Sequence, residues 1–235
     1  MAATVINGGQ GSVITFSGSG DGNDVLAGFT ITGGNNGIRC INASPKIINC
    51  VITGNSGPGI ELFNQSNAVI NNCVIAANQG AGIEMLTQRS GRIATYNYAT
   101  ITNCTIAGNT QQGILDGVQT ITNSIIYSNG ADYNNIQIES DSATVTFSDI
   151  QGGFPGEGNI DANPLFADAD NGDYHLMSQA GRWDPESQTW VLDELTSPCI
   201  DAGDPASDRT AELWPHGERI NMGAFGGTPQ ASMSF

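Results

Sequence analysis

The stretch that organises this chain is Ile47-Ile48-Asn49-Cys50-Val51-Ile52-Thr53-Gly54-Asn55, which joins two short apolar runs through an Asn and ends on a second Asn. Close copies follow at Ile70–Asn78, Ile101–Asn109 and Ile121–Asn129. The aligned residues Ile31, Ile52, Ile75, Ile106, Ile126 and Ile150 are separated by 21, 23, 31, 20 and 24 residues. This repeat is too short for helical hairpins, which need roughly 33 residues or more. It is typical of a coil with three short strands per turn.

Alternation within the repeat predicts which residues face inward. In Cys73-Val74-Ile75 the Cys and the Ile share one face of a strand, and the same parity holds in every copy. Stacked parallel strands would therefore bury columns of like residues. The predicted inward columns are Ile52, Ile75, Ile106, Ile126 and Ile150; Ile47, Ile70, Ile101, Ile121 and Val145; and Cys50, Cys73, Cys104, Ser124 and Ser148. We expect these cysteines to be small buried thiols rather than metal ligands or disulfide partners.

Asparagine recurs at two fixed places in each turn, which we interpret as corners. The first column is Asn49, Asn72, Asn103 and Asn123, and the second is Asn55, Asn78, Asn109 and Asn129. Asn tolerates left-handed backbone, and its amide can hydrogen-bond the same amide one turn away. With these features the sequence resembles the right-handed parallel β-helix proteins of the pectate-lyase-like superfamily. The resemblance covers roughly residues 5–153 and implies an all-β solenoid of about six turns, each with three short strands.

The repeat stops near Phe154, which predicts two parts, 1–153 and 154–235. The second part resembles the tail of bacterial exported β-helix proteins, which implies an irregular C-terminal cap over the open end of the solenoid. Within it, Arg182–Val191 is predicted to form a hairpin. The sequence shows no comparable N-terminal cap. We therefore expect an N-terminally truncated piece of a longer, secreted or cell-surface protein of bacterial type, with self-association or a partner at the uncapped first turn.

The composition excludes two classes of function. The 235 residues carry a net charge of -16, with a single Lys and six Arg, so the basic face that a nucleic-acid-binding protein needs is missing. No apolar run reaches the roughly 18–20 residues that span a bilayer. Only six of the 23 acids lie in the first 138 residues. Acids within the repeat are therefore rare enough to be informative.

Two of those rare acids, Glu61 and Glu84, are predicted to share an outward column with Arg39 below them and Leu115 and Gln137 above them. Neighbouring strands are about 4.8 Å apart, so the two carboxylates should repel and one pKa should rise. This separation is near the roughly 5–5.5 Å of retaining glycosidases, and a carboxylate pair also suits Ca²⁺. The alternative is a pair of solvated surface acids, one of them paired with Arg39.

The long 31-residue turn places an insertion directly after the strand that carries Glu84. It holds Arg89, Arg92, Tyr96 and Tyr98. Arg can pair a uronate or sulfate group and Tyr can stack on a sugar ring, but a tolerated surface insertion is an equal alternative. The resemblance to pectate-lyase-like enzymes implies a substrate lying along this sheet, Ca²⁺ bridging to uronate groups, and an Arg or Lys as base. In a lyase, Arg89 or Arg92 would be the candidate base.

Other candidates carry less information. Asp168, Asp170 and Asp173 form an acidic loop that lacks the spacing of an EF-hand, which makes it a weak Ca²⁺ candidate. The three tryptophans suit either cap core or a sugar-stacking patch. The only two histidines, His175 and His216, have no partner at zinc-ligand spacing.

The leading hypothesis is an extracellular β-helix that binds or processes an acidic or neutral polysaccharide along the Arg39–Glu61–Glu84 stripe. As an enzyme it would be a polysaccharide lyase or a glycoside hydrolase, with catalytic candidates Glu61, Glu84, Arg89 and Arg92 and substrate-binding candidates Arg39, Tyr96, Tyr98 and Gln137. The competing hypothesis is a non-catalytic structural or adhesin-like surface module, because fold alone does not transfer activity.

Overall fold

Three parallel sheets, named A, B and C here, stack along the first 150 residues. The structure is a computed structural model that describes residues 4–18, 22–90, 93–130, 137–140 and 142–235. Sheet A consists of Thr4–Asn7, Phe29–Thr32, Val51–Thr53, Val74–Ala76, Thr105–Ala107, Ile125–Tyr127 and Asp149–Ile150. Sheet B consists of Ile14–Ser17, Ile38–Ile41, Ile60–Phe63, Ile83–Leu86, Ile114–Leu115 and Ile138–Glu139. Sheet C consists of Val25–Ala27, Lys46–Ile48, Asn67–Asn71, Tyr98–Thr102, Val118–Thr122 and Ser142–Thr146.

The chain visits the sheets in the order A, B, C and then repeats, which makes a parallel β-solenoid of about six turns. This confirms the predicted fold class, and the predicted right hand is the one that connections between parallel strands almost always adopt. The described residues contain no α-helix and one 3₁₀ turn, Ala169–Asn171. None of their helical segments is long and apolar enough to span a membrane.

The interior is built from the predicted columns. Ile52 pairs with Ile75, which pairs with Ile106, and the column continues through Ile126 to Ile150. Burial of each such side chain contributes roughly 1.5–3 kcal/mol. Because the same residue type occupies the equivalent position in every turn, a one-residue slip of strand register would turn buried side chains outward. All five cysteines are buried and free, as predicted for the cysteine column.

Only one of the two asparagine columns forms a ladder of amides. Asn55, Asn78 and Asn109 each donate from Nδ2 to Oδ1 of the next asparagine at 2.9 Å. The other column, from Asn49 to Asn123, adopts the predicted left-handed backbone with φ near 50°. The predicted hydrogen bonds between successive side chains of this column are not formed. Asn72 instead donates to carbonyl oxygens of the C-terminal segment at 2.8 and 3.0 Å.

Gln137 is not an outward substrate-binding residue, because the strand register in the last turn differs from the prediction. Glu139 pairs with Leu115, so Glu139 and not Gln137 continues the outward column. Gln137 is 3% exposed and accepts the last hydrogen bond of the ladder, from Asn129 at 2.9 Å. Gly occupies the equivalent position in earlier turns; at Gly113, for example, a Cβ would lie 3.0 Å from Asn129 Nδ2. The ladder therefore ends where a long amide replaces that Gly.

The insertion after sheet B forms an antiparallel hairpin of Gln88–Ser90 and Ile93–Thr95. Its root is attached to the next turn, because Asp116 accepts hydrogen bonds from the backbone and hydroxyl of Thr87 at 2.9 Å. Asn97 closes the other side by donating to the carbonyl of Leu86 at 2.9 Å. The insertion is therefore anchored to the solenoid at both of its ends.

The C-terminal region lies along the side of the solenoid as well as at its end. Phe154 packs against the last turn of the core, while Tyr174 and Ala224 cover outward residues of sheet A such as Val74 and Ala107. The region contains the hairpins Phe166–Asp168 with Asp173–Leu176, and Arg182–Asp184 with Thr189–Val191. The second is the predicted hairpin. The outer face of sheet A is therefore largely covered, whereas the outward side chains of sheet C are mostly exposed and those of sheet B are partly buried.

The tryptophans of this region differ in their surroundings. Trp183 and Trp190 are half-buried and pack edge to face at 5.8 Å, as cap residues would. Trp214 is 80% exposed, which is inconsistent with a place in the cap core. In the first turn, Thr4–Asn7, Ile14–Ser17 and Val25–Ala27 are the edge strands of their sheets. Self-association through these edges stays a prediction.

Candidate functional site

The predicted stripe on sheet B is present and in register. Arg39 pairs with Glu61, and Glu61 pairs with Glu84, on three neighbouring strands. Each of these residues lies between two inward residues, so all three side chains point away from the core. The stripe therefore aligns two carboxylates and one guanidinium at the strand spacing of about 4.8 Å.

Glu61 is held in place from two sides. Nε of Arg39 lies 2.9 Å from its Oε2, and Asn36 donates a hydrogen bond from Nδ2 to the same oxygen. The Arg39 guanidinium also lies over the ring of Phe63, 5.9 Å from its centroid. Glu61 is only 7% exposed. A carboxylate with a cation and an amide at one oxygen is fixed in position.

Glu84 has the opposite environment, although it is one strand away. It is half-buried and receives no hydrogen bond or ion pair from the described residues. Burial raises its pKa, and the negative charges of Glu61 and Asp116 raise the pKa further. This agrees with the expectation that one acid of the pair should hold its proton more tightly. The pair therefore consists of a fixed carboxylate beside an acid with an increased tendency to remain protonated.

The outward column continues past Glu84 through Leu115 to Glu139. Gln112 donates to Oε2 of Glu139 at 2.7 Å, in the way that Asn36 donates to Glu61. Leu115 separates Glu139 from Glu84, so Glu139 is not a third member of the pair.

The candidates in the insertion do not all meet at the stripe. Arg89 lies in the first strand of the hairpin, and Arg92 lies outside the described residues. Tyr96 is half-buried between the hairpin and sheet C. Tyr98 is 48% exposed on the outer face of sheet C, in register with Asn67. Tyr98 and the stripe are thus on different faces of the solenoid, so the predicted role of Tyr98 beside Glu84 has no support from this arrangement.

The weak metal candidates do not converge. Within the described ranges, no three His, Cys, Asp or Glu side chains are grouped so that they could hold a metal ion. Glu61 and Glu84 lack a third acidic ligand, Asp168 accepts a hydrogen bond from Asn171, and Asp173 faces Arg182. Asp170 lies in the 3₁₀ turn and is exposed. These acids therefore do not form the oxygen-rich cage that Ca²⁺ prefers.

The family model described as disaggregatase related matches residues 46–203, about two thirds of the chain. The chain belongs to the disaggregatase-related family. The matched range contains Glu61 and Glu84 and reaches into the C-terminal region of this disaggregatase-related chain. Neither the curated proteins nor the solved structures contain a match to it. The matching family model does not identify the chain as a member of the pectate-lyase-like superfamily. Membership of that superfamily therefore stays a proposal.

Two features of the disaggregatase-related chain are absent from the sequence predictions. The first is the hydrogen bond from the amide of Asn36 to Glu61. The two residues are distant in sequence, and no sequence motif links them. The second is a buried network in the C-terminal region, in which His175 contacts Asp173 and Arg182 bridges Asp173 to Asp193 at 3.2 and 3.1 Å. The spacing Asp-x-His on a strand places both side chains on one face, and this spacing was a usable indication of the pair.

Proposed function

We propose that this protein cleaves a polysaccharide laid along the outer face of sheet B, with Glu84 as general acid and Glu61 as nucleophile or stabilising carboxylate. The observation that supports it is the asymmetry of the pair: Arg39 and Asn36 hold Glu61, while Glu84 is unpaired among the described residues and has a raised pKa. Two titratable groups whose surroundings differ in this way are the usual basis for separate acid and base roles.

Glycoside hydrolysis fits these two roles in physical terms. An acid with a raised pKa holds the proton that the departing sugar oxygen needs, and a fixed carboxylate can stabilise or attack the positive anomeric carbon. The strand spacing of about 4.8 Å is close to the carboxyl separation of roughly 5–5.5 Å in retaining enzymes, so we propose retention of configuration. A lyase would instead need a base such as Arg89 or Arg92. The stripe itself favours the hydrolase.

The family name is compatible with this proposal. It refers to disaggregation, and cleavage of a polymer that links particles would disperse them. We propose on the same basis that this protein acts outside the cell or at its surface, where such polymers occur. The resemblance of the repeat to pectate-lyase-like enzymes also supports the choice of a polysaccharide as substrate.

The test is a screen of neutral and acidic glycans, with reducing ends and absorbance near 235 nm as separate readouts. Glu84→Gln and Glu61→Gln should each lower turnover by about 10²–10⁴-fold. Glu84→Gln should also remove the basic limb of the pH profile. Glu139→Gln is the matched control, because Glu139 lies in the same column but is separated from the pair by Leu115.

Three outcomes would change the proposal. Unsaturated products absorbing near 235 nm would establish a lyase in place of a hydrolase. Full turnover in both Glu61→Gln and Glu84→Gln would show that the stripe is not the active site. Absence of turnover on every glycan would favour the non-catalytic surface module, which the Arg39–Glu61 ion pair also permits.

A further inference from the structure

The corner of the solenoid that precedes sheet B carries a different side chain in successive turns. Four sheet B strands begin with an Ile that follows a Gly, and the residue before that Gly is here called the corner residue. The backbone places these residues at equivalent positions, because each corner carbonyl accepts a hydrogen bond at 3.0–3.1 Å from the Gly one turn earlier. The corner residues are Asn36, Pro58, Ala81 and Gln112. Each turn therefore places a different chemical group beside the outward column.

Two of the corner residues are amides, and each of them binds an acid of the following turn. Asn36 donates a hydrogen bond from Nδ2 to Oε2 of Glu61. Gln112 donates from Nε2 to Oε2 of Glu139 at 2.7 Å. The relation between corner residue and acid is the same in both cases, so an amide at this corner reaches the outward carboxyl group one turn later.

Pro58 occupies the corner that corresponds to Glu84. Its side chain has no hydrogen-bond donor, and proline also lacks a backbone N–H. No hydrogen bond reaches the Glu84 carboxyl group from any part of the chain that the structure describes. At the next corner, Ala81 precedes an apolar member of the column, Leu115. Glu84 is therefore an acid of this column whose corner residue offers it no donor.

The missing amide affects how firmly Glu84 holds a proton. A hydrogen bond donated to an ionised carboxylate favours the charged form, whereas burial and nearby negative charge favour the neutral form. Burial raises the pKa of Glu84, and the charges of Glu61 and Asp116 raise it further. No amide opposes these effects at Pro58. An amide introduced there would act in the opposite direction.

We propose that Pro58 is a positioning residue for Glu84, because it withholds the amide donor that the corner gives to Glu61 and Glu139. The Glu84 carboxyl group is thereby left free to carry a proton toward a substrate. The catalytic meaning of this inference rests on the proposed function, in which Glu84 is the acid. The corner residues then separate the roles of the two acids, since Asn36 holds Glu61 and Pro58 leaves Glu84 free.

The experiment changes the corner residue and measures the Glu84 carboxyl group directly. Pro58→Asn supplies the amide that Asn36 provides, and Pro58→Gln supplies the longer one that Gln112 provides. The full chain is labelled with ¹³C at its Glu carboxyl groups and titrated by NMR, with the Glu84 signal identified by its loss in Glu84→Gln. At least one amide variant should lower the pKa of Glu84 by roughly one unit.

Pro58→Ala is the matched control, because alanine already occupies the equivalent corner at Ala81. It removes the proline ring without adding a donor, so the pKa of Glu84 should stay at its value in the parent chain. An equal fall in Pro58→Ala would overturn the proposal, since the effect would then come from the corner backbone. An unchanged pKa in both amide variants, with melting temperatures near that of the parent chain, would overturn it as well.

The titration needs no substrate, so it is independent of the test of the proposed function. On a glycan that the protein cleaves, the amide variant that lowers the pKa of Glu84 should also move the basic limb of the pH profile to lower pH. A basic limb that does not move with that pKa would overturn the positioning role. Failure to cleave any glycan would count against the proposed function, while the NMR result would still decide whether Pro58 withholds a donor from Glu84.

Discussion

Replacement of Asp149 by asparagine should stabilise the protein at neutral pH and reduce the dependence of its stability on pH. The Asp149 carboxyl group is buried between the outer face of sheet A and the C-terminal region. Its Oδ1 accepts a hydrogen bond from the backbone of Ala162, and its Oδ2 accepts one from the thiol of Cys199, both at 3.1 Å. Burial raises the pKa of Asp149 from 3.8 to about 6, although these two hydrogen bonds act in the opposite direction.

The magnitude follows from that shift. The pKa rises by about two units, and each unit corresponds to about 1.4 kcal/mol, so the ionised carboxylate costs the folded state about 3 kcal/mol at pH 7. Because the folded pKa is above the unfolded one, the favourable contribution is complete below about pH 4 and is lost as the pH rises through 6. Asparagine resembles the protonated acid: its oxygen can accept from Ala162, and its amide can face the sulfur of Cys199.

Urea unfolding followed by circular dichroism at pH 4, 5, 6, 7 and 8 would measure this difference. Asp149→Asn should exceed the parent chain by about 3 kcal/mol at pH 7 and by well under 1 kcal/mol at pH 4. Asp170→Asn removes an exposed acid of the same region and should show no such trend. A difference that stays constant with pH, or destabilisation at pH 7, would refute the assignment of a buried, proton-binding carboxyl group.

Three further outcomes are expected from the packing of the solenoid. Asn109→Ala interrupts the amide ladder and should lower the free energy of unfolding by about 3 kcal/mol, because it leaves buried donors and acceptors without partners; a loss no larger than that of exposed Asn67→Ala would contradict this. Gly82→Ala would place a Cβ 2.5 Å from a methyl group of Ile106 and should cost about 1–3 kcal/mol, measured as a lower melting temperature, whereas Gly9→Ala meets no atom within 4 Å and should be neutral. The five buried thiols should react with a thiol reagent only after unfolding in urea, and rapid reaction of any thiol in the native chain would show that the cysteine column is accessible.

The solenoid and the Glu61–Glu84 pair could be predicted from the sequence because both depend on the repeat. Each turn has the same residue types at equivalent positions. Only one strand register buries Ile52, Ile75 and their counterparts together. Once that register is known, outward residues at equivalent positions must be neighbours. Arg39, Glu61 and Glu84 are therefore adjacent without any further information.

The same reasoning fails where the repeat becomes irregular. Gln137 was assigned to the outer face by alignment with Leu115, but the last turn has no Gly at the ladder position, and the long amide enters the ladder instead. The first asparagine column, from Asn49 to Asn123, has the expected left-handed backbone. Its hydrogen-bond partners belong to the C-terminal segment, which no periodic pattern connects to that corner.

The sequence by itself determined the solenoid, its buried columns and the alignment of the acidic pair, since short-range periodicity is enough to specify which residues stack. The tertiary structure alone decided that Asn36 and Arg39 hold Glu61 while no described residue pairs with Glu84. It also decided that the C-terminal region lies along the outer face of sheet A. These contacts join segments that are distant in the chain and have no repeat in common, so they depend on how surfaces pack and on which polar groups that packing leaves without partners.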